Sequence, residues 1–176
     1  MKEIDIYQYH ENVFKNVGKD YALLTSGTID HFNTMTVGWA TFGVVWGKNV
    51  VQCFVRPSRF TYQFMEKNAY FTLSFYDSTY KTQLAYLGSH SGKNEDKVKL
   101  VGFSPITIDD SITFQEARIT FLCKKIYYQN LDDTKITNQI KDRYYPRGDF
   151  HRFYIGEIIK VVNNQKKKQI KNEQKV

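Results

Sequence analysis

Apolar positions along this chain come mostly in short runs of β-branched and aromatic residues, cut by Gly, Asn and charged clusters. Such runs predict strands. Residues 1–19 show no clear period and read as a lead-in. Tyr21–Ser26 predicts a first strand, ended by Gly27. Thr34–Phe42 predicts a second, Gly43–Lys48 a turn, and Val50–Val55 a third. Pro57 suits the first position of a helix, where its missing N–H costs nothing. Phe60 and Phe64, one turn apart beside Tyr62 and Met65, give that helix an apolar face as far as Asn68.

Ala69–Tyr76 predicts a further strand, Thr79–Leu87 a helix stopped by Gly88, and Asn94–Leu100 a short polar helix stopped by Gly102. Ile112–Tyr128 alternates long enough to suggest one bent strand crossing two sheets. Asp132–Lys141 has the acidic start and basic end that suit a helix dipole. His151–Val162 predicts a last strand, broken at Gly156. Many strands, few helices and no regular βαβ alternation predict a mainly β fold, an antiparallel, Greek-key-like barrel flanked by helices.

Composition refines this picture. The 176 residues include 13 Tyr and 13 Phe, and 16% are aromatic, a share that suits pleated, half-buried faces. That length is most simply one domain, residues 1–162. The net charge is +7, yet residues 163–176 hold five Lys and one Glu, so the body carries only +3. The tail is polar and basic and is expected to be disordered. Cys53 and Cys123 lie far apart in apolar runs and read as reduced core thiols. There is no Cys-x-x-Cys, signal peptide or bilayer-length apolar run. We expect a soluble, cytoplasmic protein with no membrane contact.

Several catalytic patterns are missing. No Gly-x-Gly-x-x-Gly is present, and Gly88–Lys93 is one residue short of a P-loop, with Asn94 in the Ser/Thr position. Neither a nucleophile elbow nor metal-ligand spacing of the four His is found. Any hard chemistry therefore falls to a bound organic cofactor. Arg56, Ser58 and Arg59 cluster at a helix start, where free N–H groups attract anions. Ser89–Lys93 and Lys97 form a second basic, Gly-containing loop. Each cluster alone is more simply a surface ion-pair or capping arrangement. Together, beside Asn33–Thr36, they point to a phosphorylated planar ligand.

Four segments carry a family likeness: Asn33-Thr-Met-Thr-Val-Gly-Trp39, Arg56-Pro-Ser-Arg-Phe-Thr61, Ser89-His-Ser-Gly-Lys-Asn-Glu-Asp-Lys97 and His151-Arg-Phe-Tyr-Ile-Gly-Glu157. In this order and spacing, over residues 20–162, the chain resembles the flavin reductase-like proteins, flavoredoxins included. The resemblance implies an FMN-binding split barrel working as a homodimer, with FMN rather than FAD as cofactor. By that likeness Asn33, Thr34, Met35 and Thr36 line the flavin ring, largely through backbone groups, with Trp39 beside it. Arg56, Ser58, Arg59 and Thr61 hold the phosphate and ribityl chain, and Ser91, Gly92 and Lys97 close the site. His151, the one catalytic candidate, lies on the open side, where a nicotinamide approaches.

The function expected from this is NAD(P)H-dependent flavin reduction, with the electrons passed on to an acceptor. The alternative is a non-catalytic FMN electron carrier serving a redox protein. The aromatic surface and lysine tail also suit a small barrel binding single-stranded nucleic acid, but a body of only +3 places that reading last.

Overall fold

The computed structural model describes residues 1–164. In chain order the strands are β1 (Lys2–Ile4), β2 (Ala22–Thr28), β3 (His31–Val37), β4 (Ala40–Val45), β5 (Lys48–Val55), β6 (Tyr70–Phe75), β7 (Pro105–Ile108), β8 (Ser111–Phe114), β9 (Ile119–Asn130) and β10 (Arg152–Asn163). The helices are α1 (Val13–Gly18), α2 (Thr61–Lys67), α3 (Lys81–Ser89), α4 (Lys97–Leu100) and α5 (Asn138–Tyr144). Among the described residues, no helix is long and apolar enough to cross a membrane.

One antiparallel sheet runs β3–β2–β6–β9–β10–β5–β4, with β1 added on β10, and a separate hairpin is formed by β7 and β8. This is the split barrel expected from the sequence. Strand β10 joins its halves. Its residues 152–157 pair with β5, and its residues 161–163 pair with β1. Along its other edge it follows β9, with register shifts at Ile155/Gly156 and Ile158/Lys160. Among the described residues, no other strand links β4–β5 to the β3–β2–β6–β9 half.

The main core fills the barrel with Leu24, Val51, Cys53, Leu73, Phe75, Phe121 and Tyr154 among its members. A second core lies outside the sheet, where Leu23 of β2 meets Leu84, Leu87, Val98, Phe103 and Phe114. Strand β2 is therefore buried on both faces, which accounts for its unbroken Ala22-Leu-Leu run. Both cysteines are buried and unpaired, and burial pushes both thiols up.

Several boundaries differ from expectation. The Thr34–Phe42 run is two strands, broken at Gly38–Trp39, and Gly43 lies within β4 rather than in the turn. Strand β2 continues through Gly27, whose φ of +125° brings it against the His31–Phe32 backbone. Pro57 lies in a turn, and α2 starts only at Thr61. The Ile112–Tyr128 run is also two strands, because Gln115–Ala117 turns the chain between β8 and β9, and β8 pairs with the unforeseen β7. Asp132–Lys141 resolves into a 3₁₀ turn at Asp133–Lys135 and the later α5. The lead-in holds β1 and α1. The expected disordered tail lies, from residue 165 onward, outside the described residues.

At Gly156 a Cβ would stand 2.5 Å from Phe71 Cζ and 2.8 Å from Cys123 Cβ, both in the packed interior. Gly156→Ala should therefore destabilise the fold by about 1–3 kcal/mol through overpacking. A chemical-denaturation midpoint that falls with an unchanged slope checks this.

Candidate functional site

The site is built on β3. Asn33 is buried, and its Nδ2 donates to Thr61 Oγ1 at the start of α2 (2.8 Å). Its Oδ1 lies so close to Gly92 that a Cβ there would collide with it. Thr36 Oγ1 donates to the Leu84 carbonyl of α3 (2.5 Å). Gly88 meets the Thr36 side chain, with 2.9 Å between Thr36 Cβ and any Cβ added there. Two polar side chains of β3 and two glycines thus lay α3 and its following loop onto the strand. Thr34 is fully buried and spent inside the protein, where it bonds its cross-strand neighbour Thr25 Oγ1 (2.9 Å) and the Leu24 carbonyl (3.2 Å). Only its backbone is left for a ligand.

Two hollows open along this surface. The smaller, about 80 Å³, is lined by Asn33, Met35, Ser58, Arg59, Thr61, Ser91, Gly92 and Lys97, with Phe60, Leu87, Gly88 and His90. The larger, about 230 Å³, is lined by Met35–Trp39, Phe54, Arg56, Arg59 and His151. Met35 and Arg59 border both, so a cationic end and an aromatic end adjoin. All the site residues singled out from the sequence except Thr34 fall on one or the other. Phe54, Phe60 and His90 were missed, because nothing in a strand or loop pattern marks which apolar or His side chain faces a hollow.

Lys97 is the most constrained of these groups. Only 3% exposed, its ammonium donates to the carbonyls of Leu87 (2.7 Å) and His90 (2.9 Å) at the end of α3. There it also meets the negative pole of that helix. Burial, reinforced by Arg59 and partly opposed by Glu95, lowers its pKa to about 8. Arg59 reaches the Gly88 carbonyl (3.2 Å). Among the described residues, neither Arg59, Lys97 nor Arg56 is in a salt bridge.

Arg56 and Ser58 serve a different segment. Arg56 donates to the carbonyls of Tyr144 (2.7 Å) and Asp149 (3.1 Å), and its guanidinium stands 5.0 Å over the Tyr145 ring. Ser58 donates to Asp149 through both hydroxyl (2.5 Å) and backbone N–H (3.2 Å). They tie the α5–β10 connection down beside the larger hollow. His151, 9% exposed, packs against Trp39 with ring centroids 4.6 Å apart. Burial and the nearby Arg56 and Arg59 outweigh Asp149 and lower its pKa to about 4, so the ring is neutral at pH 7. Trp39 itself is 39% exposed, with Tyr144 and Phe54 at its edges.

A further hollow, about 410 Å³, lies elsewhere, between α1 and the segment after β6. Its Arg118 is held by Glu11 and Asp77, and its Lys15 pairs with Asp20. Its charges are satisfied internally. Among the described residues, no group of three or more His, Cys, Asp or Glu could hold a metal ion.

A family model described as "Flavin reductase like domain" matches residues 14–172. No curated protein matches the chain. Among solved structures, it is similar to flavoredoxin from Methanosarcina acetivorans, at 20% identity and a TM-score of 0.66, covering 82% of this chain and 68% of that one. Flavoredoxin of Desulfovibrio vulgaris (Miyazaki F) shares 22% identity, with a TM-score of 0.64 over 82% and 69% of the two chains. An FMN-binding protein from Thermus thermophilus shares 18% identity, with a TM-score of 0.66 over 93% and 81%. At these identities the likeness establishes the fold.

Lys97 binds its proton less tightly in the folded chain than in the unfolded one, so its charge opposes folding below about pH 8. That penalty fades as pH rises from about 8 towards 10.5. Between pH 7.5 and 9.5 the wild type should gain about 2 kcal/mol relative to Lys97→Met. Paired urea titrations of ligand-free protein at the two pH values check it.

Proposed function

This chain belongs to the flavin reductase like family, and we propose that it holds FMN along β3 as a resident cofactor and carries electrons with it. The observation that carries this reading is the adjoining pair of hollows. A small cationic recess and a flatter aromatic one share Met35 and Arg59. A phosphate at one end and a planar ring at the other is the ligand such a surface fits.

Arg59, Lys97 and the Ser91–Gly92 backbone would hold the phosphate. A dianion between Arg59 and Lys97 removes the repulsion that helps depress the Lys97 pKa, so binding relieves an existing strain as well as adding contacts. Each charge-assisted hydrogen bond contributes about 1.5–3 kcal/mol. A few of them supply most of the roughly 8 kcal/mol that micromolar affinity requires. Gly92 has no side chain to displace Asn33, which keeps the recess open. Arg56 and Ser58 act indirectly by anchoring the 144–151 segment.

Bound FMN would supply the redox chemistry that the side chains of this site lack. Met35, Thr36 and Gly38 would form the wall behind the ring, and Trp39 and Phe54 its aromatic border. His151 stays neutral at pH 7 and so acts as a polar contact, not as a proton donor from an imidazolium. The protein's share is binding, orientation and exclusion of water. The structural likeness to two flavoredoxins favours the carrier reading. A second reading, reduction of the flavin by NAD(P)H, is favoured by the partly exposed Trp39 beside the larger hollow, where a second planar ring has access. We read the working unit as a homodimer, a point that sedimentation decides.

Purified protein should carry an absorbance band of bound flavin that survives dialysis. Arg59→Ala and Lys97→Met should each weaken FMN binding at least tenfold, as expected for a lost charged contact of about 1.4 kcal/mol or more. Arg56→Ala should do less, because its donors are already engaged. Calorimetry with FMN checks the series, and unchanged affinity in both Arg59→Ala and Lys97→Met excludes the phosphate assignment. Flavin retained without steady NAD(P)H oxidation selects the carrier, whereas continuous oxidation selects the reductase.

A further inference from the structure

Tyr145 stands behind His151 and takes no part in lining either hollow. It is 6% exposed, stacked on Phe150 with centroids 4.6 Å apart, and covered on its other side by the Arg56 guanidinium. Its hydroxyl lies 2.7 Å from His151 Nδ1. The backbone N–H of His151 also approaches this oxygen as a donor, but no second acceptor for the hydroxyl proton is found among the described residues.

That bond has two possible directions, with opposite consequences. If Nδ1–H donates, the phenolic proton needs another acceptor, and a buried donor without one costs about 1–3 kcal/mol. Nε2 would then present a bare lone pair. If the phenol donates, its proton is satisfied, Nδ1 is the acceptor, and the ring proton must sit on Nε2. Burial raises the Tyr145 pKa, keeping the proton on oxygen. His151 is neutral, so only one ring nitrogen is protonated. The absence of a second acceptor for Tyr145 selects the second direction.

We propose that Tyr145 is a positioning residue that fixes His151 as the Nε2–H tautomer. The larger hollow then offers an uncharged hydrogen-bond donor beside Trp39. Such a donor suits a ligand edge carrying carbonyl oxygens or nitrogen lone pairs and disfavours one presenting N–H at that position. The tautomer assignment stands on this chain alone. Only the identity of the ligand rests on the FMN reading above.

The test is long-range ¹H–¹⁵N correlation spectroscopy of histidine-labelled, flavin-free protein at pH 7. His151 Nδ1 should resonate as a pyridine-like nitrogen and Nε2 as a pyrrole-like one. In Tyr145→Phe the two shifts should move towards each other as the tautomers mix, with the ring stack on Phe150 retained. A pyrrole-like Nδ1 in the wild type overturns the proposal, and so does a Tyr145→Phe spectrum identical to wild type. Should that variant fail to fold, the wild type still decides. A slowly exchanging Tyr145 hydroxyl proton coupled to Nδ1 supports the proposal, and a proton residing on Nδ1 overturns it.

Adding FMN extends the test to the ligand. The Nε2 resonance should shift, and FMN should bind Tyr145→Phe about threefold to tenfold more weakly. Binding that leaves Nε2 unmoved overturns the donor role. Failure of FMN to bind at all defeats the cofactor reading, and the tautomer is then judged on the flavin-free spectra.

Discussion

The site exists because α3 can lie directly on β3. That approach depends on glycine at two positions, Gly88 against Thr36 and Gly92 against Asn33. It is held by Thr36 bonding the Leu84 carbonyl of α3, while Asn33 bonds Thr61 of α2 from the same strand. Both β3 side chains are satisfied within the protein, so they define the shape of the floor before any ligand arrives. The loop after α3 then falls where Lys97 can reach back to its end. Move α3 outward by the width of a methyl group and the recess, the lysine and the floor no longer share one place.

Charge is distributed unevenly over this frame. Arg56 is committed to two carbonyls and an aromatic ring, and Ser58 to a carboxylate. Arg59 and Lys97 have carbonyl partners but no counter-ion among the described residues. The protein keeps a buried cation at an energetic cost, and burial first, then the neighbouring Arg59, lower the pKa of Lys97. Elsewhere a partly buried cation has carboxylate partners, as Arg118 does in Glu11 and Asp77.

Much of the fold could be read from the chain, since short β-branched runs announce strands whatever their partners. Strand β2 and the apolar face of α2 around Phe64 followed from local pattern, whereas the break expected at Gly156 is only a shift in register within a continuous β10. Breaks inside apolar runs did not follow from pattern. Gly38–Trp39 and Gln115–Ala117 turn the chain for tertiary reasons, and neither carries the Pro or Asn-Gly signals of a tight turn. Pro57 fits a turn as well as a helix start, and only packing distinguishes them. At the site, the residues that gather were legible as motifs, but their division of labour was not. Arg56 and Arg59 are indistinguishable in sequence, and it takes the position of residues 144–149 to show which one is engaged as an anchor. Tyr145 lies in no motif, and its role depends on a contact across the end of α5.

Strand β10 is made last of the described strands, yet among them it alone bridges β9 to β5 and receives β1. Until residues 152–163 leave the ribosome, the nascent chain has two partial sheets with unpaired edges and a first strand with nothing to pair with. Such edges invite association with other chains. Vectorial synthesis therefore leaves those edges uncovered until β10 has emerged.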